Sequence, residues 1–286
     1  MAASLLVPKS FGPRDAPDWF LAWGRSSGDP ALTLALQSGA SLGPGGIALL
    51  AAGIAHRARS GLATSLTRAA SSDDAFRHLQ RIDFFDCLGV ELPEAFERHE
   101  ERGRFVSLQR ILDLKTAREL ADRTAGVLEI QSPTTSPSLL RMTRFVFEEL
   151  GANVVQHSGA PETGFGLAQL CPSSRRIQLA FADAGVGFLA SLQRNLEWQG
   201  RVESQVEALQ LCLSLRVSGA ELGRKNMGFG LFQLQTFADQ LGGDLWIASG
   251  DALLHRRTTV GRERANVFST IPAWAGSWIC LDAPVG

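Results

Sequence analysis

The sequence predicts an α/β protein of two units, a small α/β unit over 1–104 and a larger α/β sandwich over 105–286. Three observations carry that expectation. Strand-like and helix-like segments alternate from Ala31 to Val90, which implies a small sheet with helices packed on it. A long helix ending at His157 carries an apolar stripe, and apolar strands and a glycine-preceded helix follow it. Between these runs the stretch 91–105 is highly charged with no apolar stripe, and reads as a partly helical connection.

In the first unit, Ala31 to Ser38 reads as a strand and SGASLGPGG as a turn. Gly46 to Ser60 has helical apolar spacing, and Gly61 to Leu66 reads as a short strand. Ser71 and Ser72 followed by acids give a helix start, leading into a helix that runs toward Val90. In the second unit, the segment from Phe105 to Ile130 alternates a strand with an amphipathic helix. QSPTTSPS is a loop rich in Pro, Ser and Thr. The helix from Leu139 to His157 buries Leu139, Met142, Val146, Leu150 and Val154 at steps of three and four. Arg176 to Ala182 is a strand, Leu231 to Leu241 a helix, and DLWIAS a strand. The last segment, WAGSWICLDAPV, is a closing strand.

Composition excludes several classes. An apolar fraction of 45% with 20% charged residues suits a chain that buries a core without disulfides. Cys87, Cys171, Cys212 and Cys280 are scattered, with no C-x-x-C pair, so neither zinc nor a disulfide framework is expected. A net charge of -1 provides no global field toward nucleic acid. The first residues lack a secretory h-region, and no apolar run reaches the ~20 residues that span a bilayer. A cytoplasmic protein without membrane association is expected. The basic run HRRTTVGRER, between two strands, is read as a solvated hairpin, with contact to nucleic acid or an acidic partner as the alternative.

Candidate chemistry lies in three short patterns. Glu149, Asn153 and His157 are each four apart and line one edge of a helix. Asn153 offers an oxygen to Mg²⁺, Glu149 can take a proton from an attacking water or hydroxyl, and His157 can donate to a phosphate oxygen. A plain polar helix edge is the competing reading. Gly151 in that helix permits either close packing or ligand approach. Asp183 ends a strand and is followed by Gly185 and Gly187; an ionised Asp accepts only, which suits the exocyclic amine of adenine. Gly228 and Gly230 precede the helix that opens at Leu231, where free backbone N–H groups form an anion site.

In this order, E-x-x-x-N-x-x-x-H, then D-x-G-x-G, then G-x-G-L resembles the GHKL ATPases. That family includes gyrase B, MutL, histidine kinases and the serine kinases that act as anti-sigma factors. The resemblance covers roughly Phe105 to the C-terminus and implies the Bergerat ATP-binding fold with ATP and Mg²⁺ as ligands. It implies Glu149 as catalytic base, Asn153 as Mg²⁺ ligand and Asp183 as the adenine-reading acid. Gly185 and Gly187 would lie beside the nucleotide, and Gly228 and Gly230 at its phosphates. Gly276 is followed by Ser277 where the family has Gly-Thr. Residues 188–227 hold the position of an ATP lid, with Arg224 and Lys225 either reaching the γ-phosphate or solvated.

No phospho-acceptor histidine precedes this region in an H-E or H-D context, and no transducer domain is expected after the closing strand. The segment from Pro30 to Val90 is similar to a degenerate STAS domain, the fold of anti-sigma-factor antagonists. Pro44 and Gly45 stand where such domains carry a switch serine, with Ser41 nearby; docking or dimerisation is the alternative use. Two functions follow as expectations. One is an enzyme that hydrolyses ATP or passes its phosphate to a protein serine. The other is a nucleotide-gated module with negligible turnover. Either implies a regulatory protein partner and allows a homodimer.

Overall fold

A computed structural model describes residues 3–68, 73–94, 96–98, 103–171, 174–214, 230–258 and 264–285. The chain begins with β1 (Ala3–Leu6), β2 (Ser10–Phe11) and α1 (Ala16–Ser26). Next come β3 (Ala31–Leu36), β4 (Ser41–Leu42), α2 (Pro44–Arg59), β5 (Ala63–Arg68), α3 (Asp73–Arg81) and α4 (Phe84–Cys87). The second half holds β6 (Phe105–Arg110), α5 (Leu114–Gln131), α6 (Pro137–His157), a 3-10 turn (Pro161–Thr163), β7 (Phe165–Cys171) and β8 (Arg176–Asp183). It closes with α7 (Gly187–Gln193), α8 (Gln205–Cys212), α9 (Gly230–Leu241), β9 (Asp244–Thr258) and β10 (Arg264–Pro284). The architecture is mixed α/β. A parallel sheet runs β1-β3-β5, and a five-stranded antiparallel sheet runs β6-β7-β8-β10-β9.

α2 explains how the two sheets meet. Its residues Ile47, Ala48, Leu49, Leu50, Ala51 and Ala52 are all fully buried. A helix apolar all round must be covered on every side. α2 packs on β7, β8 and β10 as well as on β5, so the halves before and after residue 105 share one core. Gly45 and Gly46 allow this closeness: a Cβ on Gly45 would lie 3.0 Å from Cys280 Sγ, and one on Gly46 2.5 Å from the Phe11 ring. The other face of the large sheet packs on α5, α6 and α9 in a second core.

Several boundaries differ from the sequence reading. α2 starts at Pro44 rather than Gly46, because proline at the first helical position already has a helical φ and needs no N–H partner. β5 is shifted to Ala63–Arg68. The helix expected to run on toward Val90 breaks at Asp83, whose φ is 59°, leaving a short α4; the expected start at Ser71 and Ser72 falls outside the described residues. The connection 91–105 contains no helix among its described residues. Instead Arg98 pairs with Asp83 and Glu94 and donates to the Gln80 carbonyl, so the charged stretch is tied to α3 and α4.

Several elements were not anticipated. α1 carries Trp19, Phe20 and Trp23, an aromatic row that continues onto Trp274 and Trp278 of β10 at centroid separations of 5.6 to 6.1 Å. β1, β7, the two-residue strands β2 and β4 and the 3-10 turn are the others. β7 is buried on both faces and therefore lacks the alternation that marks a half-exposed strand.

Arg57 is fully buried near the end of α2, where it donates to Thr64 Oγ1 and to the carbonyls of Ser27, Asp29 and Ala63. It ties the end of α1 to the start of β5. Replacing it with Met keeps the volume but strands these acceptors. We expect a loss of about 3 kcal/mol in urea unfolding, since each buried unpaired carbonyl costs ~1–3 kcal/mol and some regain water.

Candidate functional site

α6 opens on an N-cap, with Ser136 Oγ accepting from the Leu139 N–H and Pro137 in the first turn. Its buried stripe of Thr143, Val146, Phe147, Leu150, Gly151 and Val154 faces α5 and the sheet. A Cβ on Gly151 would sit 2.5 Å from that of Ala117, so this glycine serves helix packing rather than ligand approach. Phe147 meets Phe181 of β8 edge-on at 5.1 Å. That packing turns the edge bearing Glu149, Asn153 and His157 toward a pocket, where all three remain half-buried.

The pocket collects Glu149, Asn153, His157, Asp183, Gly187, Gly230, Leu231 and Ser277 from four separate stretches of the chain. Phe181, Phe188, Leu192 and Ile279 form its apolar wall. Gly230 begins α9 beside the α6 edge: an added Cβ would stand 3.3 Å from Glu149 Cβ and 3.4 Å from Asn153 Nδ2. Gly185 does not line the cavity but holds the loop against the end of α6, where a Cβ would strike the Ser158 carbonyl at 2.1 Å. Arg224, Lys225 and Gly228 lie outside the described residues. The described residues that precede them, up to Ser214, contain α7 and α8, in keeping with the helical pattern of the sequence.

Asp183 is the most constrained group. It is 3% exposed, with Oδ1 accepting from the Gly185 N–H at 2.8 Å and Oδ2 accepting from the Ser277 hydroxyl. Burial raises its pKa above the ordinary aspartate value, while the hydrogen bonds from Ser277 and Gly185 act in the opposite direction. Burial also raises the pKa of Glu149, with Glu148 adding to the effect. The pKa of His157 is lowered, first by burial and then by the Arg194 charge, so a neutral imidazole faces the pocket at neutral pH. Cys212 lines the same space, but burial pushes its thiol up to about 12, which leaves it inert.

Four residues that fix the loop escaped the sequence reading. The Thr163 hydroxyl accepts from the Ala184 N–H at 3.0 Å and donates to the Ala160 carbonyl at 2.7 Å. The Ser249 hydroxyl accepts from the Phe188 N–H and donates to the Gly276 carbonyl, both at 3.0 Å. Ser158 accepts at its carbonyl from the Val186 N–H at 2.8 Å. Trp274 Nε1 donates to the Asp183 carbonyl at 3.2 Å. Single Ser, Thr and Trp residues carry no spacing signal, and only the fold brings them to the loop.

No protein-family model matches the sequence, and no curated protein matches it. Among the described residues no group of three or more His, Cys, Asp or Glu side chains could hold a metal. No helix among them is long and apolar enough to cross a membrane.

Proposed function

We propose that the chain is a Mg²⁺-dependent ATP-binding protein of the GHKL type that hydrolyses ATP or transfers its phosphate to a protein serine. The observation that carries this reading is the convergence of Glu149, Asn153, Asp183 and Gly230 on one pocket. On this reading the antiparallel five-stranded sheet with α5, α6 and α9 on one face would correspond to the Bergerat fold, and α7 and α8 to part of its lid. The parallel β3-α2-β5 unit supports a STAS-like reading of the first half. Pro44 and Gly45 are buried against the large sheet, which favours docking over a phospho-switch at that turn.

The residues present suit such a ligand. Asp183, held by two donors, keeps free lone pairs and in its ionised form can only accept, so it selects a base bearing an amine donor. Asn153 offers a single oxygen, which fits Mg²⁺ because that ion takes few protein ligands and fills its shell with phosphates and water. Gly230 leaves room beside Glu149 and Asn153 and opens α9, whose first N–H groups favour anions. Bound ATP with Mg²⁺ would supply an activated phosphoryl group there. Glu149 would accept the proton of the attacking hydroxyl, and the apolar wall would exclude other water.

A base with a raised pKa lies closer to working pH and transfers protons more efficiently. Turnover must rise with pH as Glu149 loses its proton, and the acid limb should lie above the ordinary glutamate range. Glu149→Gln should lower turnover about 100-fold or more and leave ATP affinity nearly unchanged. Calorimetry and ADP release measure the two separately. Unchanged ADP release in the variant would favour the nucleotide-gated module, whose output needs binding alone.

A further inference from the structure

A second cavity, of about 730 Å³, opens on the sheet face opposite the pocket. Its Trp246 belongs to the core shared with the first half of the chain, whereas the pocket residues Phe181, Leu231 and Ile279 belong to the other core. The floor is Trp246 stacked on His255, ring centroids 4.5 Å apart and planes within 13°. Pro13 and Pro17 form one wall, and Val267 of β10, 39% exposed, forms part of the other.

The charges along this groove are unevenly committed. Arg176 is paired with Asp282 at 2.6 Å. Arg14 and Arg257 line the groove, are exposed, and pair with no carboxylate among the described residues. Both stand close enough to His255 that, after burial, their charges help lower its pKa. His255 Nε2 is buried without a hydrogen-bond partner; the Asp244 carboxylate, 3.9 Å away, is beyond hydrogen-bond reach. The lining thus combines two uncommitted guanidiniums, the single Asp244 carboxylate beside His255, an aromatic floor and an exposed apolar side chain. A space of this size accommodates several side chains.

We propose that this groove docks an acidic segment of a partner protein, with carboxylates on Arg14 and Arg257 and an apolar side chain against Val267 and the Trp246–His255 floor. Arginine forks match carboxylates in paired, charge-assisted hydrogen bonds. A nucleic acid is the poorer fit. Affinity for a polyanion is built from many phosphate contacts, and the groove offers two free guanidiniums, with the Asp244 carboxylate beside them, on a chain of net charge -1. The groove does not depend on the nucleotide reading, because it lies on the other face of the sheet.

The test uses the full chain and a short fluorescein-labelled peptide alternating glutamate with leucine, followed by anisotropy at physiological salt. Saturable binding is expected, weakened at least about tenfold when glutamine replaces glutamate or when Arg14→Glu and Arg257→Glu are combined. Thermal unfolding of the double variant should match the parent, and Asp183→Asn should leave peptide binding unaltered. Absence of saturable binding, equal affinity for the glutamine peptide, or full affinity in the double variant overturns the proposal. Tighter binding of single-stranded DNA of equal length would also overturn it and assign the groove to nucleic acid.

Discussion

Asp183→Asn is expected to weaken ATP binding by about 1,000-fold or more while leaving the fold intact. The Gly185 N–H lies 2.8 Å from Oδ1 and can only donate, so it holds the new carboxamide with its oxygen on that side. The amide nitrogen then takes the place of Oδ2, beside Ser277, and presents hydrogens where an adenine amine would present its own. A site built around one hydrogen bond rejects a mismatched group strongly, because buried donors are left unpaired. The same substitution has an opposite signature in stability. The folded state raises the pKa of Asp183, so it holds the proton more tightly than the unfolded chain. That contribution is present below the unfolded aspartate pKa and is lost as pH rises through the folded value. Asn carries no charge to desolvate, so its urea midpoint should fall less than that of the parent between mildly acidic and neutral pH. Tight ATP binding by the Asn variant would remove Asp183 from recognition and, with it, the GHKL reading.

The sequence exposed the helix edge of the site more clearly than its floor. Glu149, Asn153 and His157 were legible because a helix repeats every ~3.6 residues, so equal spacing of four places them on one edge. Asp183 and Gly187 were legible because a strand end followed by glycines marks a tight turn. Thr163, Ser249 and Trp274 were not, since each acts through one hydrogen bond set by tertiary placement. The same limit applies to the fold. α2 was found from its apolar spacing, yet its burial between two sheets depends on Gly45 and Gly46, which read locally as turn residues. α1 is hidden in the sequence because Pro13, Asp15 and Pro17 break the segment that leads into it, although Trp19, Phe20 and Trp23 recur at helical steps. β7 was missed because a strand covered on both faces has no polar side to alternate.

Gly276→Ala should be among the most damaging single changes in the chain. Gly276 has φ +91°, a conformation that residues with a side chain rarely adopt. A Cβ there would stand 2.2 Å from the Asp183 carbonyl, 2.5 Å from the Gly185 N and 2.6 Å from Asp183 Oδ1. Two of those atoms are backbone, held by Trp274 Nε1 on one side and by Asp183 Oδ1 on the other, so none can swing aside as a flexible side chain would. Strain at such a φ costs ~1–3 kcal/mol and overpacking adds ~1–3 kcal/mol, so a loss of about 4 kcal/mol is expected in urea unfolding. Relief of the clash has to move the Asp183 carboxylate off Ser277, so nucleotide binding should fall even in conditions where the variant stays folded. Gly24→Ala provides the contrast. Its Cβ would meet only the Pro272 side chain, at 2.9 Å, on the far side of β10 from the pocket. That variant should lose some stability and keep its nucleotide affinity. Equal effects of the two on binding would mean that Gly276 acts through general stability, and that the Asp183–Ser277 contact does not depend on the glycine beneath it.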